Sequence, residues 1–278
     1  MTILDAVRGF IREHGETDLQ TLYASLPDEK PHSMRARIYE NLGTLFRRVR
    51  KGVYVAVEGD VSCVVVEGDC RLEILKLPTG SIDAVITDPP YDWLREHVEM
   101  HSTTRPRMHW DYERCEMDAA LGLEVARVLK AGAHAFFFVP AESRTTRPRI
   151  EAFIHRLEAC GFVFNKRFIW DRILLGMGYN GRCRYEGILF MSRGPRRMPC
   201  DRSVPDVIAE RQAHHRHRAH VNEKPVGLLE KLVRFATLPG ETILDLFAGS
   251  CSTGIAALRQ GRNAILFEKD GRCLEALA

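Results

Sequence analysis

Apolar and polar residues follow two different patterns along this chain, and the change lies near residue 60. Before it, apolar residues recur at helical spacing from Ile3 to Ile11, around Leu22 and from Ile38 to Leu45, which predicts three short helices. Asp18 and Ser33 are predicted to begin the second and the third. A hairpin with a basic turn then follows, bounded by the apolar residues Phe46, Val49, Val53 and Val55.

From residue 62 onward, short apolar runs alternate with amphipathic segments. Strands are predicted at 63–69, 81–88, 133–140, 162–170, 185–194, 242–249 and 263–270. Helices are predicted at 71–78, 118–132, 147–161, 223–240 and 253–261, with Gly132 as a C-cap. Strands alternating with helices predict an α/β fold with a mostly parallel sheet covered on both faces. We therefore divide the chain into domains at 1–57 and 62–278.

Composition places the chain among ordinary globular proteins. Its 278 residues, 45% hydrophobic and 28% charged, allow one large α/β domain with a small appendage. No apolar run approaches the ~20 residues of a membrane span, and the amphipathic, charged N-terminus does not have the pattern of a secretory signal. Eight cysteines without a CxxC pair are typical of reduced core thiols. We expect a cytoplasmic protein with no membrane partner.

The net charge is only +3, but basic residues are concentrated in two segments. Residues 33–51 hold five arginines and one lysine against one glutamate, and residues 193–220 hold seven arginines and four histidines against three acidic residues. Two basic segments in a nearly neutral protein indicate a polyanion met at two places. Either segment alone is explained about equally well as a solvated face.

Three predicted strands end in residues that suit a ligand, at the edge where open parallel sheets bind theirs. These are Asp69, Asp88 and the small-residue turn from Asp245 to Thr253. Small side chains let a ligand approach the backbone amides, but the turn lacks the GK[ST] of a phosphate loop and the GxGxxG of a dinucleotide site. Glu268 ends the next strand, where an acidic residue typically binds ribose hydroxyls. The pattern predicts a nucleoside ligand without phosphates, and S-adenosylmethionine fits.

The order of the motifs, DPPY at 88–91 before FAGS at 247–250, resembles the β group of amino-directed DNA methyltransferases. The resemblance covers about residues 62–278 and includes Glu186, the run Glu223-Lys224-Pro225, and Glu268. It implies a Rossmann-like fold that uses S-adenosylmethionine without a metal and releases S-adenosylhomocysteine. Cys251 stands where the family usually has glycine. The cofactor-binding residues that the resemblance implies are Asp69, Lys224, Asp245, Phe247, Ala248, Gly249, Ser250 and Glu268.

The resemblance also implies a role for DPPY. Methylating an exocyclic amine requires the base to be held where its nitrogen can become pyramidal. The Asp88 carboxylate and the Pro89 carbonyl can accept the two amine hydrogens and stabilise the forming positive charge. Pro89 and Pro90 fix the backbone, and Tyr91 offers a face for a flipped base. These four residues are the predicted catalytic set.

Residues 1–57 resemble HARE-type and related winged-helix domains, whose last element also combines an aromatic residue, a basic turn and GVY. This implies DNA contact by the hairpin, although a structural cap or a partner contact is the alternative. Within the second domain, a lid after DPPY and a recognition segment at about 194–220 are expected to contact DNA, which we take to be double-stranded. The predicted DNA contacts are Arg47, Arg48, Arg50, Lys51, Arg105, Arg107, Arg196, Arg197, Arg216 and Arg218.

Several alternatives stay open at this point. The leading hypothesis is an adenine-N6 DNA methyltransferase, because the cytosine-N4 enzymes more often carry SPPY. RNA as substrate and a non-catalytic DNA-binding protein are further alternatives, as are a homodimer and a restriction endonuclease partner. Methylation at carbon 5 of cytosine is disfavoured. It needs a cysteine nucleophile that follows a proline, and the single Pro-Cys pair of the sequence, Pro199-Cys200, lies in a basic loop. A zinc site made from Cys200 and the nearby histidines matches no standard spacing.

Overall fold

The computed structural model describes residues 3–14, 16–40, 46–50, 53–56, 61–90, 117–176, 181–212 and 223–271. The first unit consists of α1 (Ile3–His14), β1 (Thr17–Asp18), α2 (Leu19–Ser25), α3 (Pro31–Glu40), β2 (Phe46–Arg50) and β3 (Val53–Ala56). β3 pairs antiparallel with both β1 and β2. Three helices and a hairpin were predicted here, whereas β1 was not.

Local chemistry explains how the helices of this unit begin. Asp18 caps α2, because its carboxylate accepts hydrogen bonds from the backbone of Gln20 and Thr21 at 2.9 Å. The same bonds, chiefly those from Thr21, lower the pKa of Asp18. The predicted start of α3 at Ser33 is wrong by two residues: the helix begins at Pro31, whose fixed φ suits a first helical position. A small core joins the three helices through Val7, Ile11, Leu22, Met34 and Ile38.

The second unit is built on one sheet of eight strands. They are β4 (Cys63–Glu67), β5 (Ile82–Thr87), β6 (Leu129–Val139), β7 (Phe162–Asp171), β8 (Tyr185–Arg193), β9 (Val207–Ala209), β10 (Thr242–Asp245) and β11 (Asn263–Glu268). Their order across the sheet is β4-β11-β10-β5-β6-β8-β7-β9. All neighbours are parallel except β8, which is antiparallel to both β6 and β7.

Helices cover both faces of this sheet, as the alternating pattern predicted. They are α4 (Cys70–Glu73), a 3-10 turn (Ile74–Lys76), α5 (Ala119–Val128), α6 (Arg147–Ala159), α7 (Val226–Ala236) and α8 (Ser252–Arg259). All six residues of β5 are buried. Val85 packs into the core under α5 and α6, while Ala84 and Ile86 pack into the core under α7 and α8. Such burial on both faces is why the middle of β5, residues 84–86, is continuously apolar.

The predicted end of the helix at Gly132 is wrong. α5 ends at Val128, and β6 starts at the next residue. Leu129 is buried and pairs with Ile82 of β5. Gly132 has φ +74° inside β6, where the register with β5 shifts. The glycine therefore permits a bulge in a strand instead of capping a helix, and both kinds of site favour the same residue.

The topology brings four chain segments together at one edge of the sheet. β4, β5, β10 and β11 run parallel, so the residues that follow their carboxyl ends are neighbours although they lie far apart in sequence. Asp69, Asp88 and the turn after Asp245 are placed in this way, and Glu268 ends β11 itself. Within the described residues, no helix is both long and apolar enough to cross a membrane.

Candidate active site

A cavity of about 190 Å³ opens at this edge. Its lining comes from six separate parts of the chain, and every described member of the predicted catalytic and cofactor sets lines it. Those residues are Asp69, Asp88, Pro89, Pro90, Lys224, Asp245, Phe247, Ala248, Gly249, Ser250 and Glu268. The sequence thus predicted a large part of the lining of the cavity, because acidic and small residues at strand ends carry the signal.

Lys224 contacts two carboxylates, and its shorter contact is with Asp88. It precedes α7, and its Nζ lies 2.6 Å from Asp88 Oδ2 and 3.2 Å from Glu186 Oε2. The side chains of Lys224 and Asp88 are only 11% and 20% exposed. The ammonium group also lies 5.0 Å from the ring centroid of Phe138 and 5.9 Å from that of Trp170, within the range of cation–π attraction.

The ionic contacts continue away from the cavity. Glu186, near the start of β8, also receives a hydrogen bond from Arg172 Nη1 at 3.3 Å. Burial alone would lower the pKa of Lys224, but the charges of Asp88 and Glu186 outweigh it and raise the pKa. Lys224 is therefore an ammonium ion at neutral pH. The sequence marked it as a cofactor residue, whereas its polar contacts are with carboxylates.

Asp245 ends β10 as a buried carboxyl group held by hydroxyl and amide donors. Thr87 Oγ1 donates to it at 2.8 Å, Thr253 Oγ1 at 2.7 Å and the backbone N–H of Phe247 at 3.1 Å. Burial nevertheless raises the pKa of Asp245 to about 6, with a smaller contribution from the negative charge of Asp88. Within the described contacts of Asp245, no cation offsets its charge.

Glu268 closes the other side of the small-residue turn. Its Oε2 accepts a hydrogen bond from the backbone of Gly249 at 2.6 Å, and its Oε1 accepts one from Asp270 at 2.9 Å. Each carboxylate oxygen can accept a second bond, so both keep capacity for hydroxyl donors of a ligand. Asp69, at the end of the neighbouring strand, accepts from the backbone of Arg71 at 3.0 Å.

Cys251 occupies a conformation that favours glycine. Its φ is +56° and ψ is +21°, in the left-handed region, and it directly precedes α8. It is 5% exposed, and its N–H bonds to the carbonyl of Ala248 at 2.8 Å. The resemblance indicated that the family usually has glycine here, and the positive φ of Cys251 is the conformation that favours glycine. A non-glycine residue here costs about 1–2 kcal/mol.

Some residues of the cavity were not singled out by the sequence as site residues. Thr87 and Thr253 hold Asp245, and Phe138 lies against Lys224. Phe138 is close to the end of β6, so its position at a strand end was an available signal. Threonine hydroxyls in apolar strands and helices give no comparable sequence signal, because their role depends on a partner far away in the chain.

Arg197, near the beginning of the predicted recognition segment, has partners within the protein. Arg197 binds Glu241 through two hydrogen bonds of 3.0 and 2.8 Å, and also donates to the carbonyl of Ala236. These partners lie at the amino-terminal edge of the sheet, opposite Asp88. Arg197 therefore has a structural role at that edge, and its contact with DNA stays a prediction. Arg196, the preceding residue, is exposed, and its contact with DNA likewise stays a prediction.

The segment then returns toward the site. β9 was not predicted, and it adds a parallel edge strand to β7, which brings the chain back to the edge that carries Asp88. Nine predicted site residues lie outside the described residues or have only their backbone described. Tyr91, Arg105, Arg107, Arg216, Arg218 and Lys51 lie outside, as do the histidines of the zinc alternative. The backbone of Arg47, Arg48 and Arg50 lies in β2.

A family model described as DNA methylase (N6_N4_Mtase) matches residues 82–278. The match includes most of the chain and every residue of the cavity except those that directly follow β4. The chain belongs to this DNA methylase family. YubD of Escherichia coli (strain K12), named as a methylase, is 30% identical over 210 residues, which cover 73% of this chain and 83% of YubD. The DNA adenine methyltransferase YhdJ of the same strain is 24% identical over 245 residues, which cover 76% and 79% of the two chains.

Solved structures agree on the architecture of this DNA methylase. The complex of M1.HpyAVI with SAM has a TM-score of 0.55 at 20% identity and covers 77% of this chain and 97% of that chain. PvuII DNA methyltransferase, cytosine-N4-specific, has a TM-score of 0.59 at 17% identity, with 78% and 86% covered. At these identities the likeness concerns the fold alone. The predicted Rossmann-like α/β fold of the methyltransferases is confirmed.

Proposed function

We propose that this DNA methylase transfers a methyl group from S-adenosylmethionine to the N6 amine of adenine in DNA. The observation that carries the proposal is the pairing of Lys224 with Asp88 beside the Asp245–Glu268 cavity. A strand-end carboxylate is thereby fixed next to a site that suits a nucleoside. The methyl donor and the base that accepts the methyl group can meet there.

The residues present fit S-adenosylmethionine. Ala248, Gly249 and Ser250 leave room for close approach to the backbone, and Glu268 can accept ribose hydroxyls. Asp69, Asp88, Asp245 and Glu268 make the cavity rich in carboxylates, which suits a ligand that carries an ammonium and a sulfonium group. When bound, S-adenosylmethionine supplies an electrophilic methyl group on sulfur.

The residues of the chain would then hold the amine that receives this group. The Asp88 carboxylate and the Pro89 carbonyl accept its two hydrogens, so that the nitrogen lone pair can turn away from the ring. The two prolines restrict the backbone and keep these acceptors in place before the base arrives. Tyr91, outside the described residues, would stack on the flipped base.

Lys224 acts on Asp88 rather than on the methyl donor. Its 2.6 Å contact occupies Asp88 Oδ2 and fixes the plane of the carboxylate. Glu186 and the two aromatic rings hold the ammonium group from other sides, so Lys224 cannot easily turn away. Held in this plane, the carboxylate can accept one amine hydrogen while the Pro89 carbonyl accepts the other.

Adenine is preferred over cytosine because DPPY begins with aspartate, and YhdJ, which is named as an adenine methyltransferase, supports this choice. The likeness to the cytosine-N4-specific PvuII enzyme favours the second candidate, N4 of cytosine. The test is to expose unmethylated plasmid to the protein with S-adenosylmethionine and to analyse its nucleosides by mass spectrometry. N6-methyladenine is expected. N4-methylcytosine would establish the second candidate, and neither product would refute both.

Asp88→Ala tests the assigned chemistry within the same assay. Because it removes an acceptor at the reacting centre, turnover should fall by at least about a hundredfold, while S-adenosylmethionine affinity measured by calorimetry stays within a few-fold. Asp206→Ala is a suitable control, since Asp206 is a half-exposed aspartate that pairs with Lys166 away from the cavity. Turnover of Asp88→Ala close to that of the wild type would contradict the assignment.

We further propose that residues 1–57 form a winged helix-turn-helix domain that contacts DNA. The order helix, strand, two helices and hairpin, with β3 between β1 and β2, supports this. Arg47, Arg48 and Arg50 belong to the hairpin strand β2, and Lys51 follows it in sequence. Residues 62–278 would carry the reaction, and the part of the segment 194–220 that returns to the site would take part in recognition.

A further inference from the structure

The connection between β7 and β8 carries three consecutive exposed apolar residues. Ile173, Leu174 and Leu175 are 46%, 48% and 56% exposed. We call residues 173–175 the apolar strip. Exposing a contiguous apolar patch is unfavourable in water, so such a patch commonly marks an interaction surface. The position of the strip decides which partner it suits.

The strip lies at the same edge of the sheet as the candidate active site. β7 ends at Asp171, which pairs with Tyr185 at the start of β8. Between the strip and β7 lies Arg172, whose guanidinium group bonds to Glu186. Glu186 contacts Lys224, and Lys224 contacts Asp88. The strip is therefore joined to the reactive carboxylate by three consecutive ionic contacts.

The backbone of the strip is held in an unfavourable conformation. Ile173 has φ +66°, which is a genuine outlier for a β-branched residue. Its N–H bonds to Asp171 Oδ1 at 2.8 Å, and Asp171 in turn receives two hydrogen bonds from Arg184 at 2.7 and 2.8 Å. Gly176 closes the far side with a backbone bond to Cys183. Strain of this kind persists where the surrounding contacts enforce it, and it is common at functional sites.

The charges around the strip favour a polyanion. The described residues of this connection, 171–176 and 181–184, contain Arg172, Arg182 and Arg184 against the single acidic residue Asp171. An apolar surface bounded by arginines suits a nucleic acid better than the membrane or the apolar core of a protein partner, because the arginines meet phosphates while the aliphatic side chains meet base faces.

We propose that the apolar strip is a wedge that enters the DNA duplex beside the target base and supports its extrusion toward Asp88. The inference rests on the proposed function, since extrusion is needed only if a base reacts in the cavity. Taking a base out of a duplex costs unstacking and unpairing, and aliphatic side chains inserted between base steps are a known way to offset that cost. Leu174 and Leu175 are the side chains assigned to this role.

The test compares double-stranded and single-stranded forms of one circular phage DNA. In the variant with Leu174→Ser and Leu175→Ser, methylation of the duplex should fall by at least about tenfold, and methylation of the single strand should stay within about twofold, because no duplex has to be opened. Leu123→Ser is the matched control, since Leu123 is 55% exposed on α5. An unchanged duplex rate, or an equal loss on both forms, would overturn the proposal.

A second measurement does not depend on methyl transfer. In Leu174→Trp, the added indole should be quenched by duplex DNA through stacking on bases, whereas in Leu123→Trp it should not. Quenching without any methylation by the wild type would refute the proposed reaction and keep the wedge. Methylation by the wild type without quenching of Leu174→Trp would refute the wedge and keep the proposed reaction. If the serine variant instead changes the molecular mass in solution from dimer to monomer, the strip is a contact between two copies of the chain and the wedge is refuted.

Discussion

Asp245 offers a test of whether a residue that favours ligand binding lowers the stability of the folded protein. Its carboxyl group is buried at the end of β10, accepts three hydrogen bonds and lies near the charge of Asp88. Asp245→Asn keeps the shape of the side chain and removes the ionisation. The two threonine hydroxyls can rotate to accept from the new amide. We expect this variant to be more stable than the wild type at neutral pH and to bind S-adenosylmethionine more weakly.

The magnitude follows from the pKa. The folded protein raises the pKa of Asp245 from 3.8 to about 6, so between these values the folded state binds more protons than the unfolded state. The free energy of unfolding therefore falls as the pH rises through this window. At about 1.36 kcal/mol per pKa unit, ionised Asp245 costs the folded protein about 3 kcal/mol above the window. Asp245→Asn removes that cost.

Urea unfolding measured across the pH range checks this prediction. The variant should exceed the wild type by about 1–3 kcal/mol near pH 7.5 and by about 1 kcal/mol or less near pH 4.5. Asp83→Asn is the matched control, because Asp83 is also buried, at the other end of β5, but pairs with Lys130 at 2.6 Å. That variant should lose about 1–3 kcal/mol. A gain at Asp245 that does not depend on pH, or a loss, would refute the reasoning.

Three further predictions concern other parts of the chain. Lys224→Met should lower turnover by at least about a hundredfold, because it removes the cation that contacts Asp88 in the cavity. Lys231→Met, which breaks the more exposed pair between α7 and Glu210, should stay within about threefold, and equal effects of the two variants in steady-state kinetics would contradict the role of Lys224. A chain lacking residues 1–57 should still bind S-adenosylmethionine in calorimetry but bind DNA more weakly and with a shallower salt dependence, and an unchanged slope would assign that unit to another partner. Cys251→Gly should keep activity and tighten cofactor binding by up to about tenfold, because it relieves about 1–2 kcal/mol of backbone strain. Cys251→Ala keeps the strain and should leave cofactor affinity unchanged. If Cys251→Gly loses activity while its folding and cofactor affinity stay intact, the thiol has a role.

The sequence predicted the part of the site that strand ends encode. Asp69, Asp88, Asp245 and Glu268 each follow or end an apolar run, and parallel strands bring such residues to one edge. This rule needs only the strand positions and the direction of the strands, both of which are visible in the alternation with helices. The cavity lined by these four residues is the consequence. Asp18 as a cap was predictable for a similar reason, since its partners are the next residues in sequence.

The sequence could not predict contacts that depend on which strands become neighbours. Arg197 looked like a phosphate contact because it lies in a basic segment, but the segment begins where β8 ends, at the edge away from Asp88. There Glu241, 44 residues later, takes both guanidinium nitrogens. Gly132 suited a helix cap and a bulge equally well. Only the pairing of Leu129 with Ile82 decides between them.

The stretch from Asp245 to Cys251 concentrates two unfavourable features in seven residues. Asp245 is a buried carboxyl group with a raised pKa, and Cys251 holds a left-handed backbone. Lys224 offsets the negative charge at Asp88, whereas the described contacts of Asp245 contain no cation. A cationic ligand bound in the cavity would offset that charge, because an opposite charge near a buried carboxylate favours its ionised form. The same charge that destabilises the protein alone would then strengthen ligand binding, so S-adenosylmethionine should lower the pKa of Asp245 and stabilise the protein more at neutral pH than near pH 4.5.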